Sequence, residues 1–286
     1  MYDVLCYGAI SLDISGRVSQ PWHGGQAGAT DYALSPGGDA ALVALTLAGL
    51  GLTVALAGGP VGDDPMGDYL TGIFRSEGVR LYDSAPGKTS VTAVAVDPSG
   101  GRSSITFHED TPLAELPAPV ERVARARHLY TCGCYGPNSA AMGAAAREHG
   151  VPSVLNLDVP ALDAIGLFDT VIASADMARR LSADPLAAAE LIRTRGAGLA
   201  VVTLGAEGCI GSNAGLLTVP AYPVEAVDTT GAGAAFVAGF IYARLQDFNV
   251  LDSLRLATAA GAYKCMVRGS YRRFSAKELF NFIGSR

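Results

Sequence analysis

Residues 227–240 read VDTTGAGAAFVAGF, and this stretch decides how the rest of the chain is interpreted. A polar Asp-Thr-Thr precedes Gly231, Ala232 and Gly233, and an apolar helical pattern then continues to Leu245. Glycines let main-chain N–H groups converge, and the first turn of a helix offers unpaired N–H groups and the positive end of the helix dipole. The stretch therefore predicts a phosphate-binding loop that leads into a helix.

Composition limits the kind of protein and its partners. The 286 residues are 49% hydrophobic and 17% charged, which suits one large α/β domain with or without a small appendage. The 21 basic and 27 acidic residues give a net charge of −6, and no run of Lys and Arg could follow a nucleic acid backbone. No apolar run reaches the roughly 18 residues of a membrane span, and the apolar N-terminal stretch is too short for a signal peptide. We expect a cytoplasmic protein without a nucleic acid or membrane partner.

Short apolar segments alternate with helical ones along most of the chain, a pattern typical of βαβ units on a parallel sheet. Two regions, about 12–35 and 87–110, break this rhythm. The first is rich in glycine and polar residues, and the second contains TSVTAVAV and RSSITF, which alternate with period two. We predict that both regions form a small antiparallel sheet, a lid on a single domain spanning 1–286.

The cysteines do not form a disulfide framework, because their number is odd and they are scattered. Cys132 and Cys134 flank one glycine in an apolar, strand-like run. We interpret them as two buried thiols, because a metal site would need a second pair of ligands that the spacing does not provide. The sequence identifies no metal ligands.

The order Asp-Thr-Thr-Gly-Ala-Gly followed by Ala-Phe is more specific than a Gly-x-Gly pair, which also occurs in ordinary strand-to-helix turns. It resembles the motif Asp-Thr-x-Gly-Ala-Gly-Asp-x-Phe of the PfkB, or ribokinase-like, family of carbohydrate and nucleoside kinases. The residues that match are Asp228, Thr229, Gly231, Ala232, Gly233 and Phe236. Where the family has its catalytic aspartate, this chain has Ala234.

Three more motifs extend the resemblance over nearly the whole chain. GGDAA at 37–41 resembles the family's substrate turn, and GGPVGDDPMG at 58–67 resembles its first signature. VVTLGAEGC at 201–209, with Thr203, Gly205 and Gly208, is similar to its nucleotide-binding strand and turn. The resemblance implies a ribokinase-like three-layer α/β sandwich with a mostly parallel central sheet, a small β lid and an active site at the carboxyl ends of the strands.

The implied activity is ATP-dependent phosphorylation of a hydroxymethyl group on a sugar or sugar-like compound, with Mg²⁺. Gly231, Ala232 and Gly233 would form the anion hole, and the missing base at Ala234 would cost about 10²- to 10⁴-fold in rate. Two interpretations of Ala234 stay open. It is either an introduced Asp→Ala change that traps an unreacted complex, or the mark of a natural, non-catalytic relative that binds a metabolite.

The substrate side of the resemblance rests on three residues. Asp13 matches an aspartate that accepts hydrogen bonds from substrate hydroxyls, although a simple turn aspartate also fits. Gly38 and Asp39 lie in the substrate turn, and Asp39 stands where the family usually has asparagine. It would contact substrate as an acceptor of hydrogen bonds or serve only as the N-cap of its helix.

For the nucleotide, the resemblance implies that Ala259 and Ala262 leave room for adenine. Asp228 and Thr230 would order the phosphate loop, and in some relatives they bind a monovalent cation. Without the resemblance, the alanines would be an ordinary packing face of a helix.

Local features leave further alternatives. ASADMARRL at 173–181 and AGAYKCMVRG at 260–269 resemble ketohexokinase. Asp176 would contact magnesium-bound water or simply be solvated. The arginines near the C-terminus would meet a phosphate or form a charged tail; they are Arg268, Arg272 and Arg273.

The alternative activity is that of a nucleoside kinase, which would need an aromatic or apolar pocket for the base. The candidates in the predicted lid are Trp22, Tyr32 and Phe107. The same three side chains could instead seal a homodimer, since lids in this family often pair.

Overall fold

The computed structural model describes residues 1–82, 87–98, 102–108, 118–158, 162–213 and 215–285. The strands of these residues are β1 (Tyr2–Gly8), β2 (Ser11–Val18), β3 (Ala29–Gly37), β4 (Val54–Gly58), β5 (Val79–Leu81), β6 (Val91–Val96), β7 (Arg102–Phe107), β8 (Ala126–Cys132), β9 (Ser153–Leu157), β10 (Thr170–Ser174), β11 (Leu199–Thr203), β12 (Cys209–Ser212) and β13 (Leu216–Val219). The α-helices are α1 (Asp39–Gly49), α2 (Pro65–Ser76), α3 (Pro137–His149), α4 (Ala175–Leu181), α5 (Pro185–Thr194), α6 (Ala232–Leu245), α7 (Val250–Cys265) and α8 (Ala276–Gly284).

Among these strands, nine form the large sheet in the order β13-β12-β11-β10-β9-β8-β1-β4-β5. From β11 to β5 every neighbouring pair is parallel, whereas β12 and β13 extend the sheet as antiparallel strands. The central strands are buried on both faces, as β1 shows with its run of buried residues. The predicted α/β fold with a mostly parallel central sheet is confirmed.

Helices cover both faces of the large sheet. One hydrophobic core lies beneath α1, α2, α6 and α7, and a second lies beneath α3, α4 and α5. This is the three-layer arrangement that the alternating pattern predicts. None of the described helices is both long and apolar enough to cross a membrane.

The small sheet has the strand order β3-β2-β6-β7. Its strands fall in the two regions where the sequence departs from the βαβ rhythm. The pairs β2–β3 and β6–β7 are antiparallel, but β2 and β6 are parallel. The prediction of a purely antiparallel sheet was therefore wrong at its centre. The turn between β6 and β7 includes residues 99–101, and the predicted lid ends at 109–110; these residues lie outside the described ranges.

The motif GGPVGDDPMG joins the two sheets through Asp64. This residue is the N-cap of α2, and its Oδ1 accepts hydrogen bonds from the main-chain N–H groups of Met66 at 3.0 Å and Gly67 at 2.9 Å. Its Oδ2 accepts the N–H of Thr89 at 2.8 Å, just before β6. One carboxylate thus caps a helix of the large domain and fixes the start of a strand in the small sheet.

We expect Asp64→Ala to lower the free energy of unfolding by about 1–3 kcal/mol, because three main-chain donors lose their acceptor. Urea unfolding at neutral pH measures the change. The matched control is Asp63→Ala, since Asp63 is exposed and should change stability little. Equal stability of both variants would contradict the proposed junction.

Candidate active site

A cavity of about 440 Å³ opens at the carboxyl end of β11, beside the first turn of α6 and the last turns of α7. Six residues that the sequence assigned to nucleotide or phosphate line it: Thr203, Gly205, Gly208, Ala232, Gly233 and Ala262. The structure therefore brings together three motifs that are far apart in the sequence. Their position at the carboxyl edge of a parallel sheet is the usual place of ligand sites in such folds.

The turn into α6 is shaped by a close main-chain approach. Gly231 has a φ of 79°, and a Cβ at this position would lie 1.9 Å from the main-chain oxygen of Ser270. Only glycine avoids both the strained conformation and the clash. No described side chain caps α6. The N–H of Ala232 donates to the main-chain oxygen of Thr229 at 3.2 Å, and the helix leaves other N–H groups of its first turn, such as that of Gly233 at the cavity wall, for an anion.

Asp228 orders the loop before this turn. Its Oδ1 accepts the main-chain N–H of Thr230 at 2.8 Å, and its Oδ2 accepts that of Gly269 at 2.9 Å. Burial would raise the pKa of Asp228, but these hydrogen bonds and the charge of Lys264 together hold it below its ordinary value. The carboxylate stays ionised at neutral pH and fastens the phosphate loop to the segment after α7.

Ala234 lies in the first turn of α6, directly after the glycines of the predicted anion hole. It is 6% exposed and belongs to the hydrophobic core beneath α1 and α6. A methyl group accepts no proton, so the position where the family motif has its aspartate carries no general base.

A second group of polar side chains lies on β2, in the first turn of α1 and near the end of β9. Asp13 on β2 is buried and accepts a hydrogen bond from the hydroxyl of Ser11 at 3.0 Å. Asp39 accepts a hydrogen bond from the amide of Asn156 through Oδ2, also at 3.0 Å. The N-cap of α1 is Gly38, not Asp39, so the interpretation of Asp39 as a helix cap was wrong. Its carboxylate lies in the first turn of the helix and contacts a neighbouring strand instead.

The acidic side chains of this group perturb one another. Burial raises the pKa of Asp39 to about 6, and the charges of Asp158 and Asp13 act in the same direction, against the hydrogen bond from Asn156. Burial also raises the pKa of Asp13, with the hydrogen bond from Ser11 opposing it. Such buried carboxylates are strong acceptors for hydroxyl groups.

The anion turn and the acidic group meet at Ser270. The main-chain oxygen of Ser270 contacts Gly231, and its hydroxyl lies 2.8 Å from that of Ser35 and donates to the main-chain oxygen of Pro36 at 2.5 Å. The next residue, Gly37, packs so closely against Asp13 that a Cβ there would lie 1.8 Å from Oδ1. A continuous set of contacts therefore connects the turn before α6 with Asp13.

The cysteine pair lies at the end of β8 near the acidic group. Cys132 is buried, whereas Cys134 is only half-buried, and their sulfur atoms are 3.0 Å apart. Together with a carboxylate oxygen of Asp158 they form a group of potential ligand atoms within 4.8 Å of one another. A hydrogen bond with Cys132 and burial raise the pKa of the Cys134 thiol.

Other residues singled out in the sequence lie apart from the cavity wall. Ala259 is fully buried and packs with α8 rather than lining the cavity. Asp176 is exposed and forms an ion pair with Arg179. Trp22 donates its indole N–H to the main-chain oxygen of Gly25 at 3.0 Å.

The C-terminal arginines have structural partners. Arg268 pairs with Asp31 of the small sheet at 3.4 Å, and Arg273 pairs with Glu77 at 3.4 Å. Arg272 stacks on the ring of Tyr263, with its guanidinium carbon 3.6 Å from the ring centroid. These contacts favour a structural role over a phosphate-binding one.

Sequence reasoning missed the wall of the cavity that follows β13, formed by Tyr222, Pro223 and Val224. It also missed Thr258, which lies on the same face of α7 as Ala262. The only available signal was helical spacing: positions 258, 261, 262 and 265 share one face, whereas position 259 points away from it.

Comparison with known proteins agrees with this geometry. The profile of the pfkB family carbohydrate kinases matches residues 1–276. The ATP-dependent ribose-1-phosphate kinase of Halopiger xanaduensis is 30% identical over 301 residues, covering 100% of this chain and 99% of the relative. The nucleoside kinase of Methanothermobacter thermautotrophicus is 29% identical and covers 79% of this chain and 77% of its own. The chain belongs to the PfkB family of carbohydrate kinases.

A solved structure supports the same fold. Ribokinase from Thermotoga maritima superimposes with a TM-score of 0.82 at 22% sequence identity, covering 99% of this chain and 100% of that one. The fold is therefore ribokinase-like, with a mostly parallel central sheet and helices on both of its faces.

We expect Asp39→Asn to stabilise the fold above pH 6 and to have little effect near pH 4. The folded-state pKa of about 6 lies above the ordinary 3.8, so the charge on Asp39 destabilises the fold increasingly as the pH rises between these values. Asparagine removes that charge and can still accept from Asn156. The expected gain at pH 8 is about 1–3 kcal/mol.

Urea unfolding at pH 4.5 and pH 8 measures this difference, with exposed Asp63→Asn as the control. A gain of the same size at both pH values would show that the effect of the substitution does not come from the titration of Asp39.

Proposed function

We propose that this chain binds ATP in the 440 Å³ cavity and a sugar-like acceptor beside Asp13 and Asp39, on a scaffold for phosphoryl transfer to a hydroxymethyl group. Family membership supports kinase activity in general. The relatives named above act on ribose 1-phosphate and on nucleosides, which supports a sugar or nucleoside as acceptor. The small sheet would serve as a lid over that acceptor.

The observation that carries this proposal is the contact chain from Gly231 through Ser270 to Gly37 and Asp13. These contacts support an arrangement in which the uncapped N-terminus of α6 lies between the cavity and the hydrogen-bond acceptors Asp13 and Asp39. Phosphoryl transfer needs this order, because the phosphoryl group passes from the nucleotide to a hydroxyl held on the other side of the anion hole.

Each part has a distinct physical task. The N–H groups of the first turn of α6 would stabilise negative charge on the transferred group. Asp13 and Asp39 would accept hydrogen bonds from acceptor hydroxyls and fix their orientation. The small-residue face of α7, with Gly261 and Ala262, leaves space for the base and ribose of the nucleotide.

Mg²⁺ would accompany ATP and screen its phosphate charges. None of the described residues that line the cavity is a carboxylate. The lining therefore offers the ion no direct acidic ligand, and phosphate oxygens with water would hold it.

Ala234 would leave binding intact and suppress turnover. Loss of a general base costs about 10²- to 10⁴-fold in rate, or roughly 3–5 kcal/mol of barrier. The intact neighbours Gly231, Gly233 and Phe236 favour a single Asp→Ala change on a working scaffold. The alternative is a natural protein that binds its ligand without phosphorylating it. The buried position of Ala234 is also compatible with this interpretation.

One face of the small sheet supports a homodimer. Leu34, Ile14, Ala93 and Ile105 form a row across its strands, on the face opposite to Asp13. Leu34 is 44% and Ile105 is 46% exposed, and Phe107 and Tyr32 add 56% and 75% exposed rings to the same face. We propose that two copies of the chain pair through this apolar face, which would otherwise lie against water.

Restoring the base tests the kinase proposal. We expect Ala234→Asp to increase kcat by about 10²- to 10⁴-fold with the right acceptor. ATP consumption is measured with a panel of sugars, sugar phosphates and nucleosides, and Ala234→Asn serves as a matched polar control without a base.

Equal rates for the aspartate and asparagine variants with every acceptor, combined with tight ATP binding, would favour the non-catalytic binding protein. Thermal unfolding of both variants shows whether the new side chain disturbs the core around position 234.

The dimer has its own test. We expect Ile105→Lys to convert the dimer into a monomer, because a charged side chain would have to be buried at the interface. Analytical ultracentrifugation measures the mass. Ser104→Lys, on the opposite face of the same strand, is the control and should leave the dimer intact. A monomeric unmodified chain would refute the pairing.

A further inference from the structure

Lys264 is a charged side chain buried in the last turn of α7. It is 1% exposed, whereas Lys88 and Lys277 are exposed. A buried ammonium group is strongly unfavourable unless hydrogen-bond acceptors and opposite charge replace the water that it loses. Its surroundings therefore show what the charge does in this fold.

The ammonium group contacts the chain just before the anion turn. Nζ of Lys264 donates a hydrogen bond to the main-chain oxygen of Asp228 at 3.0 Å. The next residue, Cys265, accepts the main-chain N–H groups of Val227 at 2.8 Å and Asp228 at 3.1 Å. The end of α7 thus forms hydrogen bonds with both the main-chain N–H and the main-chain carbonyl of Asp228.

The carboxylate of Asp228 completes this arrangement. It binds the N–H groups of Thr230 and Gly269, and the charge of Lys264 is one of the influences that lower its pKa. A positive and a negative group therefore stabilise the same loop from opposite sides. The loop continues directly into Gly231, whose conformation aims the N–H groups of α6 at the cavity.

We propose that Lys264 is a positioning residue for nucleotide binding: its ammonium group is an internal cation that fixes the carbonyl of Asp228, so the phosphate loop functions without a bound monovalent metal ion. Main-chain carbonyl oxygens are the ligands that K⁺ takes in proteins. In this chain a lysine fixed by the fold occupies such an oxygen. This inference rests on the proposed binding of ATP in the cavity.

The first test uses the unmodified chain. Its Kd for ATP is measured by calorimetry in tetramethylammonium, sodium and potassium chloride at equal ionic strength, and we expect the three values to agree within about twofold. Binding that tightens about tenfold or more in potassium would overturn the inference and leave the proposed function standing. Absence of ATP binding in all three salts would overturn the proposed function itself, and this inference with it.

The second test removes the charge. We expect Lys264→Met to weaken ATP binding in tetramethylammonium chloride by about tenfold or more, since a charge-assisted hydrogen bond is lost. Potassium or ammonium chloride should restore most of the affinity, because a small cation can take the position of the missing ammonium group. Lys277→Met is the control and should bind ATP like the unmodified chain.

Salt-dependent rescue separates a positioning charge from simple packing. A variant that binds ATP as tightly as the unmodified chain in every salt would overturn the inference. So would a folded variant whose weakened binding does not respond to any cation. If Lys264→Met does not fold, the salt series on the unmodified chain still decides the question.

In the Ala234→Asp background the same substitution gives a kinetic readout. Lys264→Met should raise the KM for ATP in tetramethylammonium chloride and leave the KM for the acceptor unchanged. An equal rise in both would indicate general loosening of the fold and count against the inference.

Discussion

The close approach of Gly231 to the main chain of Ser270 is the constraint on which the site depends. Only glycine tolerates both this contact and the left-handed turn that starts α6. The helix has no side-chain cap, so first-turn N–H groups such as that of Gly233 stay open. Through its hydroxyl, Ser270 also fixes the end of β3, where the glycine pair meets Asp13. In the proposed function, one packing contact would therefore link phosphate recognition with acceptor recognition.

Charge is divided sharply between the two sides of this contact. The cavity side presents main-chain N–H groups and small apolar side chains, with Lys264 behind the loop. The acceptor side gathers Asp13, Asp39 and Asp158, whose charges oppose one another. An aspartate at position 234 would stand between these regions. If the chain binds ATP as proposed, alanine would spare the phosphate groups one nearby negative charge, which would favour nucleotide binding at the expense of proton transfer.

Much of the fold followed from the sequence because buried parallel strands and amphipathic helices have distinct periods. The direction of the central strands of the small sheet could not be predicted, because a period of two occurs in both parallel and antiparallel strands. The connection between β2 and β6 through the large sheet makes these two strands parallel. In the site, Thr203 and Gly233 could be placed because their motif fixes the main chain. The cavity wall at Tyr222 could not be predicted, because an irregular segment has no periodic pattern. The burial of Lys264 could not be predicted either, because it depends on the packing of α7 against the rest of the fold.

The parallel pairing of β2 with β6 has a consequence for how the protein acquires its structure. This pairing encloses the whole segment that contains α1, β4, α2 and β5, so the two strands can meet only after a long loop has been closed. Loop closure of this kind is entropically unfavourable until the enclosed segment is compact. We therefore expect the pairing of β2 with β6 to form after the large sheet near β1 and β4 is organised. The contacts of Asp228 with Lys264, Cys265 and Gly269, in contrast, lie within the short stretch that contains α6 and α7 and close a much smaller loop.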